Sequence, residues 1–314
     1  METGPEDRLS LSTGYPYPHA EIAELRIKLD NAGLNLADVF QTIRNREIFA
    51  NWEQYGTETI TKLTAIGTIL PVLSDVFELY DRSWALTMHV LKFVTSLFFS
   101  RGNEENGFPL GEGMNGKSWL LFVLDKLLGD YACGVQAGVY GQPVPSTRTP
   151  NPDWLALMGK KAFLGGEKGS DLKIDAGTFK ALRDPTNVIE LRGLWEGNVK
   201  FKSAGRLIIP DNNKVEFKGG VDGGVRRSTL AWPHPWTFVK VPTPGRKEKR
   251  ARNIKNKEYV DGILPGLLLL LIEIDKMWGG DWTSGQILPQ PASVIEAGFQ
   301  CSPSWYTFTF FLML

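Results

Sequence analysis

What this sequence lacks narrows it first. Among 314 residues there are two cysteines and three histidines. Cys133 and Cys301 stand far apart, with no C-x-x-C pair and no nearby histidine, so neither a disulfide framework nor a zinc site is indicated. A reducing interior is the simplest compartment for such a chain. His19 follows Pro18, and His234 sits between Pro233 and Pro235, so both read as loop residues. His89 lies among apolar neighbours and reads as a packed side chain. No Ser/His/Asp arrangement can be built from these three. Charge of one sign is also missing: 35 Lys and Arg balance 35 Asp and Glu. No overall field therefore draws the chain to a polyanion, and any nucleic-acid site has to be a local basic patch. The longest apolar run, 263–274, contains Pro265 and includes Glu273. It is too short for a hydrocarbon core of about 30 Å and predicts a buried helix. The first residues include Glu2, Glu6 and Asp7 and no apolar signal region. The expectation is an intracellular protein that is neither secreted nor held in a membrane.

What is present centres on residues 111–118, Gly-Glu-Gly-Met-Asn-Gly-Lys-Ser, which satisfy G-x-x-x-x-G-K-[ST]. Glycines at 111, 113 and 116 let successive backbone N–H groups, around Asn115, point into one concavity that suits phosphate oxygens. Lys117 is then placed to reach β- and γ-phosphates, and the Ser118 hydroxyl to hold Mg²⁺. The following stretch, 119–128, has helical apolar spacing and stops at Gly129, so the loop opens a helix whose N-terminus faces the anion. The same glycines match the dinucleotide fingerprint G-x-G-x-x-G. Lys117 and Ser118 decide against it, because a dinucleotide needs neither a lysine on a γ-phosphate nor a hydroxyl on a metal. The preceding segment 106–110 fits less well, since it contains Pro109, which cannot donate to a sheet ladder.

Around this loop the pattern predicts an N-terminal leader over 1–18 and short helices over 20–29, 36–43 (with Asn35 placed as cap), 58–66 up to Pro71, and 81–98. These form a small bundle or the outer layer of the domain that follows. Residues 140–152 are a Gly/Pro/Ser/Thr connection. The apolar run 162–166 ends at Glu167, the acid that a strand has to deliver beside a γ-phosphate. Downstream the reading is a helix over 175–183, ended by Asp184-Pro185, and a hairpin of 188–195 with 199–202. A buried strand over 206–209 follows, with amides at Asn212 and Asn213 on its tip. Arg226 and Arg227 follow a glycine-rich turn and lead into a strand-like run, 228–232. The densest basic cluster, 246–252 with Lys255 and Lys257, is either a DNA contact or a solvated loop.

Taken in order, the loop, the helix closing in Leu128-Gly129-Asp130-Tyr131, Gly159-Lys160-Lys161 before Glu167, Phe179-Lys180 with Asp184, Arg192-Gly193-Leu194-Trp195, Asn212 and Arg226-Arg227 resemble the superfamily-three helicases. Within them they resemble the phage, plasmid and poxvirus primase-helicase branch. The resemblance covers roughly 85–240 and extends faintly to Leu264-Pro265-Gly266-Leu267. It implies an α/β, AAA+-like P-loop NTPase core, a central sheet flanked by helices and preceded by a helical N-terminal region. It further implies a homo-oligomeric, hexameric ring that uses ATP and Mg²⁺ to move along single-stranded DNA. Carried over residue by residue, Gly111, Gly113, Asn115, Gly116, Lys117 and Ser118 hold the nucleotide, with Ser118 on Mg²⁺, and Glu167 is the Walker B acid. Asn212 is the sensor, and one of Arg226 and Arg227 is an arginine finger for the neighbouring subunit; a solvated basic pair is the other reading of those two. Arg192, Lys200 and Lys202 line the channel against DNA phosphates.

Several positions depart from the family pattern. Gly166-Glu167 replaces the usual Asp-Glu, leaving the metal to Ser118 and water; no proline follows the sensor amide, so the choice of Asn212 or Asn213 stays open. Within these residues no primase region is expected ahead of the helicase part, and the apolar end 305–314 has no counterpart and is read as atypical. The expected organisation is 1–80 leader and helical region, 81–245 ATPase domain, and 246–314 basic loop, helix and tail, in a viral, plasmid or cellular replication context. A monomeric P-loop nucleotide kinase or switch, and a hydrolysis-deficient nucleic-acid-binding relic, are the competing functions.

Overall fold

The structure, a computed structural model, describes residues 19–39, 57–99, 104–166, 173–193, 197–203, 205–212, 214–252, 254–278 and 290–300. The expected leader, the end of the helix begun at residue 36, Glu167, Asn213, the hairpin tip 194–196 and the apolar tail lie outside them.

A five-stranded parallel sheet organises the chain. Its spatial order is Ala132–Val135, Ala162–Gly165, Arg206–Ile208, Asn106–Leu110, Thr229–Pro233. The strands are short apolar runs buried on both faces, as parallel strands covered by helices are. Side chains alternate between two cores. Phe108, Phe163, Leu207, Ile209 and Ala231 enter one, together with Phe179 of helix Ala176–Arg183 and Ile189 and Leu191 of the hairpin. Ala162, Leu164, Ile208, Leu230 and Trp232 enter the other, under helices Pro71–Leu79, Trp84–Phe98, Lys117–Leu128 and Lys257–Trp278. This second core is continuous across residues 80/81 and 245/246, since Leu70, Tyr80, Trp84 and Leu264 belong to it alike.

Strand Asn106–Leu110 is central despite Pro109. Asp211 N donates to Pro109 O at 2.9 Å and Ile209 N to Gly107 O at 3.0 Å, so the odd positions face Arg206–Ile208. The proline therefore omits one ladder bond on that side only. Pairing there is registered at Gly107↔Ile208 and again at Leu110↔Asp211, whereas pairing with Thr229–Pro233 is uninterrupted from Asn106 to Leu110. A single missing donor costs on the order of 1 kcal/mol, which burial of Phe108 and Leu110 offsets.

The sequence pattern gives no separate sign of helix Pro71–Leu79. Pro71 closes the preceding helix Thr57–Ile69 and at the same time occupies the first turn of a new one, where its missing N–H has no partner to lose. Helix Trp84–Phe98 starts at Ser83, whose hydroxyl accepts from Leu86 N at 3.3 Å. The apolar run 263–274 lies inside the 22-residue helix Lys257–Trp278, which tolerates Pro265 and buries Leu267 to Leu271. No helix among the described residues is long and apolar enough to cross a membrane. Buried Arg206 pins the sheet to helix Trp84–Phe98: its Nη1 donates to Ser96 Oγ at 2.8 Å and its guanidinium lies over the Phe93 ring. Burial pulls its pKa down to about 9, with Glu105 opposing, so it stays charged at neutral pH.

Topology then places a site. The connection leaving Asn106–Leu110 runs to the sheet edge at Ala132–Val135, while the one leaving Arg206–Ile208 crosses the other way to Thr229–Pro233. Right-handed crossovers in opposite directions put the connecting segments on opposite faces and open a crevice at the carboxyl ends of the two strands. Gly111 and Asn212 stand at those ends.

Candidate functional site

The loop 111–118 leaves the sheet at Leu110 and runs directly into helix Lys117–Leu128. Its conformation depends on two glycines. Gly111 has φ 150°, and a Cβ there would lie 2.5 Å from the His234 carbonyl oxygen; Gly116, with φ 86°, would drive a Cβ to 2.3 Å from Leu79 Cδ2. Gly113 is different: a Cβ there would meet nothing within 4 Å, so the chain's own packing does not demand a glycine at that position. Met114 also takes a left-handed backbone, φ 57°, and is exposed.

The crevice brings Lys117 and Asn212 together across 95 residues of sequence. Lys117 is buried, and its Nζ donates to Asn212 Oδ1 at 2.9 Å, to the Gly111 carbonyl, and to the Glu112 carbonyl at 3.5 Å. These contacts hold the ammonium at the point where an anion arriving on the loop would meet it. Ser118 is exposed beside it, and Asn115 is buried with its Nδ2 unbonded among the described residues.

A second segment braces the loop from the sheet side. His234 N donates to Leu110 O at 2.7 Å, Phe238 N to Met114 O at 2.8 Å, and the His234 Nδ1–H to Asn115 O at 3.0 Å. His234 is buried against Tyr80, ring centroids 5.0 Å apart. Burial, reinforced by the Lys117 charge and opposed by the Asn115 hydrogen bond, lowers its pKa to about 4, so it is neutral at physiological pH. His234 lies between two strands, as a loop histidine, yet it is buried. The flanking prolines concealed a buried support for the loop, and nothing local signals it.

The basic cluster after residue 246 is tied into the fold at Lys249 and Arg252, while Arg246, Lys247, Arg250 and Lys255 stay exposed. Strand Glu248–Arg250 pairs with Thr237–Val239, Lys249 bonds Glu78 at 2.7 Å, and Arg252 bonds Asp75 at 2.7 Å. Tyr259 Oη donates to the other Asp75 oxygen at 2.5 Å, and Trp119 Nε1 donates to Ile254 O at 2.9 Å. Burial raises the Asp75 pKa, with the Tyr259 and Arg252 contacts opposing it. These contacts enclose a cavity of about 620 Å³ between helix Pro71–Leu79, residues 114–119 and the segment 238–255.

The other predicted residues lie elsewhere. Arg226 and Arg227 end a short helix, Gly223–Arg227, that Asp222 caps and that packs on helix Ala176–Arg183. Arg227 is exposed and Arg226 half-buried. Strands Val188–Arg192 and Asn198–Lys202 form the expected antiparallel hairpin, in the register Glu190↔Lys200. Ile189, Leu191 and Phe201 bury one face, leaving Arg192, Lys200 and Lys202 together on the solvent face, with Glu190 3.4 Å from Lys200. Among the described residues no group of three or more His, Cys, Asp or Glu is arranged to hold a metal ion by itself.

No protein-family model and no curated protein matches the sequence. Solved structures do. The A-form apo structure of the NrS-1 C-terminal region is similar over 74% of this chain and 51% of its own, at 10% identity and TM-score 0.52. Two further apo structures of that region are similar at 12% identity, with TM-scores of 0.48 and 0.47, over 68% and 64% of this chain and 52% and 44% of theirs. The chain thus spans about half the length of these structures. At TM-score 0.52 the likeness to the first is one of fold: a mixed α/β architecture with a central parallel sheet flanked by helices.

Proposed function

We propose that this protein is an ATP-dependent DNA helicase or translocase of replication type, hydrolysing ATP at the subunit interfaces of a ring to move along single-stranded DNA. The observation that carries the reading is the meeting of Lys117 Nζ and Asn212 Oδ1 at 2.9 Å in the crevice between strands Asn106–Leu110 and Arg206–Ile208. A buried ammonium, an amide from a distant strand and a loop whose backbone admits no side chain at 111 or 116 converge on one point. That combination fits a triphosphate better than a dinucleotide, which has no use for the lysine.

In this reading the loop N–H groups hold the α- and β-phosphates as a P-loop, and the Lys117 ammonium exchanges its carbonyl partners for β/γ oxygens. Asn212, already on the lysine, orients the attacking water or contacts the γ-phosphate. Ser118, exposed at the start of its helix, would hold Mg²⁺, which neutralises charge developing on the β- and γ-oxygens. Glu167 would act as the acid that positions the water. Of the paired arginines, exposed Arg227 is the better candidate to reach a neighbouring subunit's nucleotide, where such a cation is worth on the order of 10³ to 10⁵ in rate. The hairpin face of Arg192, Lys200 and Lys202 supplies point charges for the DNA backbone rather than groups that read bases.

The test is steady-state ATP hydrolysis by the full chain, with and without single-stranded DNA, across a concentration range that covers assembly. Turnover that rises with both DNA and protein concentration supports the reading. Equal turnover per chain in a dilute monomer without DNA excludes it and favours a kinase or switch.

A further inference from the structure

The cavity shares Asn115 to Ser118 with the phosphate loop and extends from them over side chains that the phosphate chemistry described above does not use. We propose that it is the nucleoside subsite of the bound nucleotide, with Glu78 accepting a hydrogen bond from an N–H or O–H of the nucleoside and Phe238 and Ile254 forming its apolar wall. The proposal rests on the triphosphate reading of the loop.

Position supports it first. Lys117 Nζ with Asn212 marks the β/γ end of a triphosphate, and neither Gly111 nor Asn212 lines the cavity. The cavity instead reaches residues 114–119, at the start of helix Lys117–Leu128. A nucleotide whose terminal phosphates sit at Lys117 carries its sugar and base away from Asn212, toward this side. About 620 Å³ lies within the roughly 300–1,000 Å³ usual for small-molecule sites.

Chemistry supports it next. The Glu78 carboxylate accepts from Arg82 Nε on one oxygen and Lys249 Nζ on the other, each at 2.7 Å. Four lone pairs meet two protein donors here, and the side chain is 27% exposed, so acceptor capacity faces the cavity. Asp75 contrasts with it: its side chain is 1% exposed, and its two oxygens are taken by Arg252 and Tyr259. Asp75 fastens the segment 248–255 to helix Pro71–Leu79; Glu78 is the carboxylate left within reach of a ligand. Arg250 and Lys255, exposed on the cavity lining and without an ion pair among the described residues, leave this mouth electropositive, as a nucleotide requires.

Backbone strain points the same way. Asp81, Arg82 and Met114 are the non-glycine residues with left-handed φ among the described residues; Arg82 and Met114 line the cavity and Asp81 adjoins it, its carboxylate accepting from Trp236 Nε1. Strain of this kind persists where the surroundings over-determine a conformation, and it gathers at ligand sites.

The experiment is calorimetric titration of the full chain with ATP and with inorganic tripolyphosphate, which carries the phosphates and no nucleoside. Wild type is expected to bind ATP at least about tenfold more tightly than tripolyphosphate. Glu78→Gln and Phe238→Leu should each narrow that ratio by about fivefold or more and leave tripolyphosphate affinity unchanged, which also reports that the loop is still folded. Equal affinity of wild type for the two ligands overturns the subsite and spares the phosphate loop. So does a parallel loss of both affinities in the variants. Failure of wild type to bind either ligand overturns both proposals, and loss of both in Lys117→Met, against a wild type that binds them, locates the phosphates where the subsite requires them.

Discussion

His234 offers a prediction with a worked magnitude. The ring is wholly buried behind the 111–118 loop, its Nδ1–H bonded to the Asn115 carbonyl, and its Nε2 has no hydrogen-bond partner among the described residues. Adding a proton at Nε2 would bury an N–H beside the Lys117 charge, which is why the pKa falls from 6.5 to about 4. The folded pKa lies below the unfolded one, so the unfolded chain gains the proton first as pH drops. The stability His234 contributes is therefore complete above about pH 6.5 and declines as pH falls toward 4. At about 1.36 kcal/mol per pKa step the full gap is worth about 3 kcal/mol, of which about 2 kcal/mol is lost by about pH 5. Urea unfolding of wild type and His234→Gln at about pH 7.5 and pH 5 isolates the effect, because carboxylates titrating near the lower value act alike in both. Wild type should lose about 2 kcal/mol more than the variant between the two pH values. Parallel losses would refute the assignment of a neutral, buried imidazole.

Three further outcomes follow. Gly116→Ala, which sets a side chain at φ 86° and 2.3 Å from Leu79 Cδ2, is expected to cost about 2–4 kcal/mol in thermal or urea unfolding, and a loss below about 1 kcal/mol contradicts the geometry. Arg252→Ala removes one of two partners from the buried Asp75 carboxylate and should cost about 1–3 kcal/mol, partly restored by Arg252→Lys; an unchanged melting curve would mean the ion pair does not form in solution. Arg192→Gln, Lys200→Gln and Lys202→Gln should each flatten the salt dependence of single-stranded DNA binding, by about 0.7 in log–log slope for every phosphate no longer neutralised. If the triple variant keeps the wild-type slope, that face does not meet DNA.

What the sequence made legible was local. Glycines 111 and 116, Lys117 and the apolar spacing through Leu128 all act within a few residues, so the loop and its helix are where the pattern puts them. The same holds for helix Ala176–Arg183, which the pattern starts one residue early at Asp175, its cap, and for the 188–202 hairpin. Asn212 was singled out as the amide at a strand tip; its approach to Lys117 needed the parallel sheet to form. The cavity walls were not legible, because Glu78 and Lys249 are 171 residues apart and Asp75 and Arg252 are 177. No periodicity joins residues at that separation, and the basic run after 246 reads as a DNA contact or a solvated loop until the fold brings Glu78 to Lys249 and Asp75 to Arg252. That helix was hidden because Pro71 signals an end and a beginning with equal strength. Pro109 misled in the opposite sense: it removes one donor from a central strand, and the surrounding burial tolerates the loss.

The central claim, that a triphosphate is held at Lys117 and hydrolysed in an assembly engaged with DNA, is tested most directly by one comparison. ATP turnover is measured for the full chain and for Lys117→Met, each with saturating single-stranded oligonucleotide and native mass recorded in the same samples. The account predicts DNA-stimulated turnover by a wild-type oligomer and a loss of at least about 100-fold in the variant with the oligomer intact. Turnover that survives in Lys117→Met, or that proceeds undiminished in monomers without DNA, would contradict it.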